Sequence, residues 1–244
     1  NYFSNLINKN DADYTRYIYF YLSHLVQNNI LTQANKVLSG VDYINSTLLL
    51  SQGKSWIENK NYKKFKEVFS CQNHNHIISE FLFLISNLYS AKNDFEKSNY
   101  YLFLSNYSNP NFLYNLSLVA ENYYFNNDYI RSKKILKNFN EEDKFYFWYR
   151  KKKEAQIISK LKGKEESVKY LSLEFDKISN PNNKMIFDLA NFYKNSKDYK
   201  IAISYYTKLI EFYKDSLEIK SDLLYRRGSS YERRGDYQNA DKDL

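Results

Sequence analysis

The sequence predicts an all-α fold: a solenoid of about seven antiparallel helix–turn–helix pairs coiled into a right-handed superhelix. Three observations lead there. Five Gly and two Pro in 244 residues leave few punctuators for a many-stranded sheet. Apolar residues recur at i, i+3, i+4 and i+7 through most of the chain, the period of helices with one buried stripe. One short phrase, Asn or Asp followed by an aromatic and then a small residue, also returns at a period close to that of a two-helix unit.

The phrase reads Lys60-Asn61-Tyr62, Asn93-Asp94-Phe95 with Ser98, Asn127-Asp128-Tyr129 with Ser132, Lys197-Asp198-Tyr199 with Ala202, and Gly235-Asp236-Tyr237 with Ala240. Two degenerate copies end at Ala34 and Ser167, and Phe65 takes the small position after Tyr62. Asp or Asn in this place caps a helix by accepting from its free backbone N–H groups. The aromatic folds back on the preceding helix, and the small residue lets two helices approach closely. Twelve residues before each anchor stand Leu22, Gly53, Ser86, Ala120, Ala155, Ala190 and Gly228. Three residues after each of these stand Leu25, Trp56, Tyr89, Tyr123, Ile158, Tyr193 and Tyr231. Small at one position and bulky three on places both on one helical stripe, where a knob fills a neighbour's gap. The expected units are residues 14–45, 46–78, 79–112, 113–147, 148–182, 183–220 and a shortened 221–244, all within one repeat domain. Opening at Asn1 and closing inside an expected helix, the chain reads as a fragment of a longer protein.

The pattern resembles the tetratricopeptide repeat family over almost the whole chain. The clearest copy is Leu224, Gly228, Tyr231, Gly235, Tyr237 and Ala240. The match weakens toward the N-terminus, where Leu22 and Phe65 replace small residues. The resemblance implies a non-catalytic scaffold that holds a protein or peptide in a concave groove lined by the first helix of each pair. Carried onto this chain, that role falls to Tyr19 and Phe83 in the first half. In the second half it falls to Lys152, Gln156 and Lys160, then Phe187, Asn191 and Lys194, and last Tyr225, Arg226, Ser229 and Arg233. Some family members clamp a partner's C-terminal carboxylates, but Asp188 and Asp222 stand where that clamp needs cations or amides, which argues against it.

The formal charge of +8 and pI near 9.1 favour acidic partners. The 26 Tyr and 17 Phe, among abundant Lys and Asn, fit the codon bias of an AT-rich, bacterial genome and carry little functional weight by themselves. The alternative is RNA binding in the manner of pentatricopeptide repeats, with groove aromatics stacking on bases and the run Arg150-Lys151-Lys152-Lys153 neutralising phosphates. The drift of the anchor spacing from 31 to 38 residues (34 to 65 and 202 to 240) weighs against it, because a base-reading code needs uniform geometry.

No catalytic constellation emerges. Three His are scattered, and His74-Asn75-His76 lies in a turn without the strands or ligand spacing of a metal-dependent nuclease. Cys71 is the single cysteine, which excludes a disulfide framework within the chain. No metal, cofactor or phosphate-loop motif is found. The most apolar stretches, 17–26 and 77–89, fall short of the ~18 residues a bilayer span needs. The compartment stays open between cytoplasm and periplasm.

Overall fold

The computed structural model describes residues 15–244, so the expected start of the first unit at Tyr14 lies outside the described residues. Fourteen α-helices and no strand occur among them. In chain order these are α1 (Thr15–Gln27), α2 (Leu31–Ser39), α3 (Leu48–Glu58), α4 (Lys63–Val68), α5 (His74–Ala91), α6 (Phe95–Ser108) and α7 (Tyr114–Phe125). Then follow α8 (Tyr129–Leu136), α9 (Lys144–Lys162), α10 (Lys164–Asp176), α11 (Asn183–Asn195), α12 (Tyr199–Phe212), α13 (Leu217–Arg234) and α14 (Tyr237–Asp243). Among the described residues, no helix is long and apolar enough to cross a membrane. The chain divides into two compact units, Asn1–Arg150 and Lys151–Leu244.

Six turns share one geometry. A residue with positive φ stands in each: Asn29, Lys60, Asn93, Asn127, Lys197 and Gly235. The next residue's N–H reaches back to the carbonyl of the bulky residue that the sequence marks in the preceding helix. Thus Asp94 donates to Tyr89 at 3.0 Å, Asp128 to Tyr123 at 2.8 Å, Asp198 to Tyr193 at 3.0 Å and Asp236 to Tyr231 at 3.0 Å. Ile30 and Asn61 make the same bond to Leu25 and Trp56. This is a Schellman closure, which satisfies carbonyls that the end of a helix would leave without partners. The four Asp then cap the following helix, their carboxylates accepting from the N–H groups of Lys97, Arg131, Ile201 and Asn239. The α9–α10 connection differs, turning through Gly163 alone at φ 96°.

The fourteen positions marked twelve residues apart are all buried, in both units. Where the second member is serine, its hydroxyl can bond across the crossing: Ser132 Oγ donates to the Ala120 carbonyl at 2.9 Å and Ser167 Oγ to that of Ala155 at 2.6 Å. Ala190 and Ala202 are completely buried. At Gly228, an added Cβ would stand 3.0 Å from Leu244 Cγ and 3.1 Å from Asp243 Cβ, so the end of α14 sets the space there.

The core of the first unit centres on Tyr19, stacked between Phe65 and Phe112 at centroid distances of 5.8 and 6.0 Å. Leu22, Leu25, Leu49 and Ile57 pack around it. The α5–α6–α7 contact is built differently, from serine and asparagine. Ser79 Oγ donates to the Ser105 carbonyl at 2.8 Å, and Asn115 Nδ2 donates to Ser105 Oγ at 2.7 Å. Asn122 Nδ2 bonds Ser98 Oγ at 2.8 Å and Asn99 Oδ1 at 2.9 Å.

His76 lies in the first turn of α5, so the stretch 74–76 that the sequence reading places in a turn is helical. Its Nδ1 accepts the Ser70 N–H at 3.0 Å, and burial lowers its pKa from 6.5. Among the described residues, no three His, Cys, Asp or Glu side chains gather as a metal site requires.

Two predictions concern this packing. Ala190→Leu should destabilise the second unit by about 1–3 kcal/mol through overpacking. Gly53→Ala should stabilise the first by about 0.5–1 kcal/mol, since the new Cβ meets Tyr19 and Phe65 at an ordinary 3.4–3.5 Å and the helix loses a glycine. Denaturant midpoints moving in opposite directions would verify the pair. The other concerns pH. A histidine whose folded pKa is depressed contributes stability that is complete above 6.5 and is lost as pH falls through the folded value. His76→Gln should therefore show a smaller loss of melting temperature between pH 7.5 and pH 5 than the unaltered chain, measured side by side.

Candidate functional site

The residues assigned to a groove by register fall into two groups, one in each unit. In the first unit they face inward. Tyr19 is completely buried, and Phe83 is 4% exposed. Their neighbour is Arg16 on α1, a residue that precedes the repeat phrases and was not marked by sequence. Its guanidinium carbon lies 3.6 Å from the Phe83 ring centroid, 4.7 Å from Phe112, 5.2 Å from Tyr114 and 5.4 Å from Phe20. Nε donates to Glu80 Oε1 at 2.7 Å, and Nη2 reaches Asn115 Oδ1 at 3.3 Å. A cation held among ring faces and neutralised by one carboxylate is a stable way to bury charge.

Further side chains close the interior of this unit. Gln52 on α3 donates to Asp143 at the start of α9, and Tyr43 stacks on Phe145 at 5.9 Å. Tyr146 is buried, and Tyr149 donates its hydroxyl to Glu121 Oε1 at 2.8 Å. Burial pushes both phenols well above their ordinary pKa. Neither Tyr19 nor Phe83 therefore offers surface to a ligand; the chain's own rings occupy the space that the register assigns to one.

In the second unit the expected residues lie on α9 from Lys151 onward, α11 and α13, and several of them interact. Arg226 is the hub. Nε pairs with Asp222 Oδ2 at 2.8 Å, Nη1 reaches Asn191 Oδ1 at 3.4 Å, and the guanidinium lies 4.9 Å from the Phe187 ring centroid. Asn191 Oδ1 also accepts the Tyr206 hydroxyl at 2.7 Å. Lys194 Nζ donates to the Arg226 carbonyl at 3.4 Å; burial lowers its pKa, and the neighbouring Arg226 and Arg233 charges lower it further. Lys152 pairs with Asp188 at 2.9 Å, and Lys184, absent from the sequence reading, adds a second cation to Asp188 at 3.5 Å. Phe187 is buried and Gln156 partly so, with its Oε1 shielded and unbonded. Lys160 and Arg233 are exposed, Ser229 is half-buried, and Tyr225 is 64% exposed.

The pairing changes how the charges read. Asp188 faces two lysines and Asp222 an arginine, so the aspartates that sequence reading treats as repulsive to acidic ligands are neutralised within the chain. The basic run is consumed as well. Lys151 bonds Glu174 at 2.6 Å, Lys152 bonds Asp188, and Lys153 is buried. Of the adjacent arginines only Arg226 joins these contacts; Arg227 turns to Asp243, with two bonds of 2.7 Å that fasten α14. A three-residue offset between repeat positions could not separate those two roles. Comparison with protein-family models and with curated proteins gives no match to this chain.

Asp188→Asn should leave Lys152 and Lys184 crowded without their carboxylate and cost about 3 kcal/mol, as when one partner of a buried ion pair is deleted. Replacing Lys152 by Met as well should recover part of that loss, and chemical denaturation of the single and double variants measures it.

Proposed function

We propose that the chain is a tetratricopeptide-like scaffold without catalytic activity, which holds an acidic protein segment on the α9–α11–α13 surface of its second unit. One observation carries this reading: Arg226 is fixed against Phe187, Asp222 and Asn191, and Tyr225, the preceding residue of α13, is 64% exposed. An exposed aromatic on the same helix as a fixed cation offers a partner apolar burial and a pre-ordered charge at little entropic cost, which is the character of a binding hot spot. Lys160, Lys194 and Arg233 add positive field around it, favouring carboxylates in the partner. The repeat-like spacing of buried small residues supports the family resemblance, and helix pairs of that kind present such surfaces for extended or helical peptides.

RNA binding fits less well. Phosphate neutralisation needs cations spaced along a track and free to release counterions. Here Lys151, Lys152 and Arg226 are engaged by Glu174, Asp188 and Asp222. A library of acidic peptides containing Trp, Tyr or Leu, titrated at near-physiological salt, should yield binders. Tyr225→Ala should weaken the best of them about tenfold, and Arg226→Glu should abolish binding. Submicromolar binding of single-stranded RNA, lost on Arg226→Glu, would overturn the protein-partner reading in favour of the nucleic-acid one.

A further inference from the structure

Lys194 on α11 is a half-buried ammonium with a poor set of partners. Its hydrogen bond, 3.4 Å long, goes to the Arg226 carbonyl, which already accepts the Ser230 hydroxyl at 2.8 Å. Among the described residues, no carboxylate pairs with it. On α13, Arg226 and Arg233 stand two helical turns apart, with Ser229 between them on the same stripe. Arg226 commits Nε to Asp222 and Nη1 to Asn191, which leaves Nη2 without a partner among the described residues. Arg233 is exposed and has no ion pair among them. Burial lowers the Lys194 pKa, Arg226 and Arg233 lower it further, and Asp222 opposes them. Glu232, next to Arg233 in sequence, points about 100° away around α13. Lys194, Arg226 and Arg233 against Asp222 leave an excess of two positive charges between these helices.

We infer that, given the peptide-holding role proposed above, Lys194, Arg226 and Arg233 form a subsite for a phosphate monoester, so that the bound segment carries a phosphorylated serine or threonine. The charge matches. A phosphate monoester carries about −1.5 to −2 charges near neutral pH and three strong acceptor oxygens. The donors open to it are Lys194 Nζ, Arg226 Nη2 and the Arg233 guanidinium, with the Ser229 hydroxyl beside them on α13. A single carboxylate neutralises half of the excess and leaves donors idle. Arg226 is ordered in advance by Phe187, Asp222 and Asn191, so an incoming oxyanion meets a donor that needs no rearrangement. A dianion also relieves the repulsion between Lys194 and the two arginines. An RNA phosphate is a diester with one charge, and it needs further cations along a track. Lys152, the cation of this group on α9, is instead held by Asp188.

Three pools of short peptides, degenerate except for a central phosphoserine, aspartate or serine, test the subsite by titration against the full chain at near-physiological salt. The phosphoserine pool should bind at least about tenfold tighter than the aspartate pool. Lys194→Met, which keeps the apolar stem, and Arg233→Gln should each bring the phosphoserine pool down about tenfold, to the level of aspartate. Because Arg233 is exposed, its substitution should leave the melting temperature unchanged. Tyr225→Ala should weaken all pools alike and preserve their ratio. Equal affinity for phosphoserine and aspartate would overturn the phosphate subsite while leaving the acidic-segment reading in place. If no pool binds, both fall. Inorganic phosphate whose phosphorus-31 resonance the chain still broadens, but Lys194→Met does not, would then assign the cluster to a free phosphate compound.

Discussion

The close approach of helices at pairs of small residues twelve positions apart is the constraint on which the rest depends. Ala120 with Ser132, Ala155 with Ser167, and Ala190 with Ala202 are buried to 1% exposure or less. Larger residues stand at two of these positions, Leu22 and Phe65, each opposite a small partner, Ala34 or Gly53. Gly53 opposite Phe65 shows the exchange most clearly: a Cβ added at the glycine would stand 3.5 Å from the ring. Cores are filled by volume rather than by identity, so the exchange keeps the crossing while erasing the sequence mark that identifies it elsewhere. The C-cap turns then follow, because a helix held at this point must end where its neighbour's stripe ends.

Much of the fold was legible for that reason. The offset between small and bulky positions fixes one stripe per helix, and Asp after a residue able to adopt positive φ fixes the turn. Both are local signals, and the connections fall at the residues they indicate. Where the second helix begins without an Asp cap, as at Ile30 and Tyr62, the same backbone closure persists with Ile30 and Asn61 as donors. Geometry there outlasts the phrase that announces it.

The candidate site was legible in its membership but not in its meaning. The register names Lys152, Phe187, Asn191, Lys194 and Arg226, which the structure ties into contacts among α9, α11 and α13, and Tyr225, which is exposed on α13. It is silent on which charges are already engaged, because ion pairs such as Lys152 with Asp188 join helices 36 residues apart. It also fails in the first unit. Arg16 lies outside the repeat phrases, yet it joins α1 to Glu80 and Asn115, 64 and 99 residues away. Tyr19 and Phe83 occupy positions that a repeat pattern marks as lining. Whether such a position faces a groove or a neighbour depends on how far the helices close, which single-repeat patterns do not encode. The exposed apolar residues of α5 and α6, among them Phe81 and Tyr107, were equally hidden: their hydropathy suggests burial, and only the serine and asparagine contacts between helices show which side is inside.

The six equivalent turns also sort the chain into lengths that are counted and lengths that are not. From the first position of each pair to the second is always twelve residues: six of the seven pairs are closed by the back-bonded turn, and Ala155 to Ser167 keeps the same count through Gly163. From the second to the next first, the distance grows from 19 (Ala34 to Gly53) to 26 (Ala202 to Gly228). Insertions and deletions over evolutionary time can therefore accumulate in the links after each second helix without displacing any helix crossing. A lineage of such chains can lengthen or shorten these links while every helix crossing keeps its twelve-residue spacing.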